Sequence, residues 1–205
     1  SHATPEGLLR AENMLTQGVT TEILNADGGG PSDIEAQLRG LARAGLALNV
    51  GANIGFNTIW AQVMGPSDAR PTPEAIERMR GMVRHGLEQG AWGVSSGLDY
   101  KPGYFATADE VVQIVSVAKP WRTVFTNHDR LTPESGYSSR AGIAETIAIG
   151  ERSGLSPVIT HMKAQGMEQK TAPALLEMID AATKRGAGAA ADVYPYLAGQ
   201  SGLAA

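Results

Sequence analysis

Two of the four histidines, His128 and His161, stand where short runs rich in β-branched residues give way to polar, glycine-bearing stretches. The runs read as strands Thr123–Asn127 and Pro157–Thr160, so both imidazoles belong at the same rim of a sheet. Neutral imidazole is a common ligand for zinc and related divalent ions, and ligands on strand ends lose little freedom when a metal arrives. A hydrogen-bonded rim or core histidine is the alternative for either residue alone. Their occurrence at matched strand ends is what brings the metal reading level with it.

Other groups at the same rim could take part. Asp27 ends an apolar run and begins Asp27-Gly28-Gly29-Gly30-Pro31, where its carboxylate could serve a divalent ion or simply bond the following amides as a turn residue. The glycines match neither the dinucleotide spacing nor a phosphate loop ending in Gly-Lys-Ser/Thr. Lys163 follows His161 by two residues and could hold a substrate carboxylate, or be an exposed rim lysine. Tyr194 and Tyr196 lie on one side of Asp192-Val193-Tyr194-Pro195-Tyr196, with phenols able to donate hydrogen bonds or to pack with one wet hydroxyl. Tyr100 is open to the same two readings. His85 falls inside a helical pattern and reads as a surface residue.

The elements that must position these groups alternate. Strands are expected at Val19–Ala26, Leu46–Ile54, Ala91–Gly97, Thr123–Asn127, Pro157–Thr160 and Gly188–Val193. Helices are expected near Glu6–Thr16, Ser32–Ala44, Pro73–Glu88, Ala108–Ala118, Arg140–Ser153 and Ala172–Arg185. Gly18, Gly45, Gly90, Gly154 and Gly186 follow helix ends, where a left-handed cap suits glycine. Ser32 with Glu35 reads as a capping box, and Thr72-Pro73 as a cap before a proline at the first helical position. Polar loops follow the strands at Asp27–Pro31, Asn53–Trp60, Ser95–Tyr104, His128–Ser139, His161–Gln169 and Tyr194–Ser201. In parallel α/β folds that end of the sheet carries the chemistry. One domain over residues 1–205 is the simplest division.

Composition narrows the function classes. Seventeen basic against 21 acidic residues, with no Lys/Arg stripe, argue against a nucleic-acid partner. The apolar runs are too short and interrupted to span a bilayer. No cysteine means no disulfide framework and no thiolate metal site, and Ser1–Pro5 carries no export signal, so a reducing, cytoplasmic location is expected.

Four segments taken in order resemble the D-aminoacylase (N-acyl-D-amino-acid deacylase) family of the amidohydrolase superfamily. They are Gln17-Gly18-Val19-Thr20-Thr21-Glu22, Val94–Gly103 with Tyr100 inside it, Thr160-His161-Met162-Lys163 and Ala191-Asp192-Val193-Tyr194-Pro195-Tyr196. The resemblance implies a TIM-type (β/α) barrel and a metal-dependent hydrolase cleaving the amide bond of an N-acyl (D-)amino acid or related small amide. It implies one or two divalent ions, most readily zinc. His128 and His161 match the family's metal-binding histidines at the fifth and sixth strands, and Asp27 falls where many members place a bridging cysteine. His2 falls near the second histidine of a His-x-His pair, although a tag remnant would also explain Ser1-His2. Lys163 and Tyr194 become candidates for catalysis, and with Tyr100 and Tyr196 for binding substrate.

Departures from the family pattern set the remaining expectations. The six strands correspond to the second through seventh of the barrel, and 205 residues fall short of the roughly 250 of a complete one. No counterpart of the family's catalytic aspartate appears after the seventh strand. A second chain or a further segment is therefore expected to complete the barrel. Asn57 stands in a loop that commonly carries histidine. Two other readings remain: a non-catalytic fragment or binding subunit, and a cyclic-amide hydrolase, for which the lysine expected at the end of Ser95-Ser96-Gly97 is missing.

Overall fold

Among the described residues, seven short strands, all paired in parallel, follow one another: β1 Thr21–Leu24, β2 Asn49–Ala52, β3 Ile54–Gly55, β4 Val94–Gly97, β5 Val124–His128, β6 Ser156–Ile159 and β7 Ala190–Ala191. The structure is a computed structural model describing residues 9–131, 136 and 138–196. Helices α1 Glu12–Leu15, α2 Ile34–Ala44, α3 Phe56–Met64, α4 Pro73–Glu88, α5 Ala108–Val115, α6 Ser139–Ser153 and α7 Ala172–Lys184 lie between them. Strand β1 pairs with β2, and the others are ordered β3-β4-β5-β6-β7. Asn53 joins the two sheets. Its N–H bonds Leu24 O at 3.0 Å on one side, and the next residue, Ile54, bonds Gly93 O at 2.9 Å on the other. The strand expected over Leu46–Ile54 is thus realised as two pieces facing different neighbours, and the expected strand order is kept.

Local chemistry accounts for most boundaries. Thr72 caps α4, its hydroxyl accepting from Ala75 N at 3.2 Å with Pro73 in the first turn. Thr107 and Glu110 form a reciprocal capping box at α5. Gly45 and Gly154 close α2 and α6 in left-handed conformations at φ of 72° and 74°, where a Cβ would be strained. Three sequence expectations are corrected. The cap of α2 is Asp33, which accepts from Ala36 N at 2.9 Å, while the Ser32 hydroxyl accepts from Gln62 at 3.0 Å; the acceptor lies one residue later than the capping-box reading places it. The loop expected across Asn53–Trp60 holds the start of α3, whose Phe56, Ile59 and Trp60 are fully buried on one face. Gly55 caps it without a side-chain bond, so the usual polar start signal is missing. The helix expected to run to Ala118 tightens after Val115 into a 3-10 stretch, Ser116–Trp121, that contains Pro120.

The core lies between strands and helices. Ile54, Val94 and Phe125 from the sheet meet Phe56, Trp60, Met79 and Val83 from α3 and α4, and a smaller cluster joins Ile159 of β6 to Ile143, Ile147 and Leu175. Burial of each such side chain contributes about 1.5–3 kcal/mol. Along β5 the alternation is regular: Phe125 and Asn127 are buried, whereas Val124, Thr126 and His128 are half-buried on the opposite, concave face. Among the described residues no helix is long and apolar enough to cross a membrane.

Candidate metal and substrate site

His128 is the last residue of β5 and is aligned with Gly97 of β4. Its ring follows the concave face because the residue before it, Asn127, is tied to the helix side. Asn127 Oδ1 accepts from the Ser96 hydroxyl at 2.7 Å, and its Nδ2 donates to the Thr146 hydroxyl on α6 at 2.8 Å. All three side chains are buried, so this polar set is satisfied internally. On the ring itself, the Tyr100 hydroxyl lies 2.7 Å from Nε2, and Nδ1 lies 3.3 Å from the Asp129 carbonyl. Burial, and then the neighbouring His161, lower the His128 pKa against the opposing pull of Asp27 and Asp99. That direction favours the neutral imidazole.

His161 reaches the same place by a different route. Asn127 of β5 aligns with Ile159, and Thr160 N bonds Asn127 O at 3.1 Å, so His161 lies one step beyond the position level with His128. Ile159 is buried in the cluster against α6 and α7. Continued alternation would aim His161 the same way as Ile159. Instead His161 adopts a left-handed φ of 39°, a conformation costing about 1–3 kcal/mol for a non-glycine residue. The turn brings its ring centre to 4.4 Å from that of His128, edge to face. Lys163 Nζ donates to His161 Nδ1 at 2.9 Å and to His161 O at 3.0 Å. It also stands 5.2 Å from the Tyr194 ring centre, within cation–π range.

Asp27 arrives on a turn built to approach the strand ends closely. It is left-handed at φ 56° inside the 3-10 turn Ala26–Gly28. A Cβ on Gly97 would come within 2.5 Å of the Asp27 carbonyl, so only glycine lets β4 and this turn meet. Asn57 at the start of α3 clamps the arrangement: its Nδ2 donates to Gly97 O at 2.9 Å and to Tyr100 O at 3.2 Å, and its Oδ1 accepts from Gly97 N at 3.0 Å. The Asn57 side chain is thereby committed to the backbone of the Tyr100 loop. The Asp27 charge acts on both His128 and Tyr100; burial, and then Asp27 and Asp99, raise the Tyr100 pKa.

A cavity of about 480 Å³ opens beside His161, lined by Lys163, Gln165, Tyr194 and Tyr196 among others. Tyr194 is half-buried with its ring 6.2 Å from His161, and Tyr196, 69% exposed, lies 6.2 Å further along. The structure thus gathers His128, His161, Lys163, Tyr100 and Tyr194 at one end of the sheet. His85 is exposed on α4, remote in sequence from every strand end. His2 lies outside the described residues.

Some residues of the site went unnoticed in the sequence. Asp129 follows His128, and burial pushes its pKa up to about 6 against the opposing Lys163 charge. Arg130 binds Glu145 of α6 through Nε at 3.0 Å and donates to the carbonyls of Leu98, Tyr104 and Ala106, fixing the segment that carries Tyr100. Asp99 accepts from Leu131 N at 2.8 Å and secures the same segment. Their one visible signal was position, within three residues of His128 or Tyr100.

The donors at hand suit a divalent ion in kind: two imidazoles, one whose pKa burial lowers, with a carboxylate charge felt at that ring. Among the described residues no three His, Asp or Glu side chains form a metal-holding group. The three-ligand set expected from the sequence is therefore present as a histidine pair. Asp27 acts on His128 by charge, and its left-handed turn is seated by its own backbone against Gly97.

No family model matches the chain. Over 150 residues it is 32% identical to the N-acyl-D-glutamate deacylase of Alcaligenes xylosoxydans xylosoxydans, a match covering 73% of this chain and 30% of that protein. It is 30% identical over 158 residues to the D-aminoacylase of the same organism, covering 77% and 32% respectively. The crystal structure of N-acyl-D-glutamate deacylase from Bordetella bronchiseptica, complexed with zinc and a phosphonate inhibitor, superposes with a TM-score of 0.80 at 28% identity, over 94% of this chain and 46% of that one. This chain belongs to the D-aminoacylase family of amidohydrolases. The parallel strand arc is accordingly part of the TIM-type barrel of that family. The chain spans less than half the length of these D-aminoacylase relatives.

Proposed function

We propose that this chain carries the metal-binding and substrate-binding rim of an enzyme that hydrolyses the amide bond of an N-acyl-D-amino acid or a closely related small amide. The observation that carries the reading is the approach of His128 and His161 to 4.4 Å at the strand ends, beside a cavity that contains Lys163. The two imidazoles, with Asp27 as a source of negative charge, would hold one or two divalent ions, zinc being the best match to nitrogen donors. The relative from Bordetella bronchiseptica was crystallised with zinc and a mimic of the tetrahedral intermediate, which supports both parts of the proposal. Held by these residues, a divalent ion would supply an acidified water and would polarise the scissile carbonyl.

The chain's own residues do the rest. Lys163 places an ammonium at the wall of the cavity, where it neutralises the carboxylate of an N-acylated amino acid. The Tyr194 hydroxyl, and that of Tyr100 next to His128, donate hydrogen bonds to oxygen atoms that gain charge during attack. Tyr196 lines the outer wall and meets the side chain or acyl group.

The test is zinc content and amidase activity of the His161→Ala variant against N-acetyl-D-amino acids. Loss of both is expected; retention of both removes this histidine from the mechanism. A second reading, a non-catalytic binding subunit, draws on the histidine pair lacking a third ligand among the described residues. Stoichiometric zinc uptake by the unmodified chain with measurable turnover rules it out. Cyclic-amide hydrolysis gains no support at β4, where the Ser95 hydroxyl is bonded to Asn25 O and that of Ser96 to Asn127.

A further inference from the structure

We infer that Asp192 is a positioning residue for His161: its carboxylate holds the left-handed turn that swings this imidazole from the helix side of the sheet to the metal side. The inference rests on the proposed metal-binding role of His161 and adds a residue to it.

Ile159 and His161 are two residues apart, and Ile159 packs against the helices. An extended backbone through residue 161 would send the imidazole after it. The ring instead meets His128, because the His161 φ is 39°. A side chain with a Cβ does not rest there unless its surroundings hold it. Three bonds from β7 and its end supply that hold. Asp192 N donates to Ile159 O at 3.1 Å, which continues the β6–β7 pairing by one residue. The His161 amide donates to Asp192 Oδ1 at 2.6 Å, and the Met162 amide to Asp192 O at 2.9 Å. One residue thereby brackets the turn from both sides, and both amides freed by leaving the strand conformation find acceptors on it. The bond from the His161 amide to Asp192 Oδ1 is the part that depends on the side chain, and at 2.6 Å it is short.

Chemistry gives the same residue a further consequence. A ring that must be re-aimed at a fixed site binds metal only in the fraction of molecules in which the turn is made. Groups that orient a ligating histidine typically change metal affinity about 10–100-fold when removed. Lys163 does not substitute for Asp192, since it bonds the His161 ring and carbonyl and leaves the amide alone.

The experiment compares the intact protein with Asp192→Ala and Asp192→Asn, using zinc competition against a chromophoric chelator and amide hydrogen exchange at His161. Alanine is expected to weaken zinc binding at least tenfold and to speed exchange of the His161 amide. Asparagine keeps an acceptor oxygen of the same reach and is expected to stay within about threefold of the parent. Parent-like zinc affinity and exchange in the alanine variant overturn the inference. If alanine does not fold, asparagine decides: full loss of affinity there also overturns it, since the acceptor was retained. If the unmodified protein takes up no zinc, the metal reading fails by itself, and the exchange rate at His161 still upholds or overturns the bracket.

Discussion

His128 and His161 lie 4.4 Å apart, yet they are held in contrasting ways. His128 is fastened from inside the fold. Its strand neighbour Asn127 is bonded to β4 and α6, Arg130 draws the Tyr100 loop over it, and its backbone is ordinary extended strand. His161 is fastened from the rim, through a left-handed turn, an exposed carboxylate at the end of β7, and a loop continuing into the 3-10 turn Gly166–Glu168. One ligand position thus follows from folding the core, while the other depends on a local bracket that can fail with the core intact.

Three substitutions separate the core-held half of the site from the rim-held half. Arg130→Ala strands Glu145, whose side chain is only 21% exposed, and releases three loop carbonyls; a loss of about 3 kcal/mol in urea unfolding is expected. Asn127→Leu removes the shared partner of Ser96 and Thr146 and is expected to cost about 2 kcal/mol by the same measurement. Glu168→Gln touches the rim half. Bonding from Ser138 and the Arg140 amide lowers the Glu168 pKa, so its stabilisation is present above the ordinary value of 4.5 and is lost as pH falls through the folded one. The variant is expected to unfold slightly earlier than the parent at pH 7, with the difference shrinking as pH falls below 4.5, measured by thermal melts across that range. Should Glu168→Gln cost as much as Arg130→Ala, the rim would be as deeply built into the fold as the core and the contrast would disappear.

The sequence made the strand order legible because apolar periodicity and helix punctuation agree: Pro73–Glu88 is realised with the expected ends, and Thr72 caps it as read. It did not reveal α3, whose first residues lack a polar cap and whose start coincides with a glycine-bearing segment. The break at Asn53 was equally hidden, since it depends on which neighbour each half of the strand pairs with. At the site, the histidine pair was legible from strand ends alone. The backbone turn at His161 was not, because nothing in Thr160-His161-Met162 marks a positive φ, and strict alternation pointed the ring elsewhere. Asn57, Arg130 and Asp192 act by bonding backbone groups distant in the chain, and such partners have no local spacing to read.

Asp27 and His161 share a conformation that glycine adopts more comfortably than any other residue. Were durability of the folded chain all that mattered, glycine would be the favoured replacement at both positions. Imidazole and carboxylate persist there against that preference, which marks these two sites as places where usefulness and robustness are traded against each other. Variants selected only for heat resistance should accumulate changes at these two positions before they accumulate them at His128.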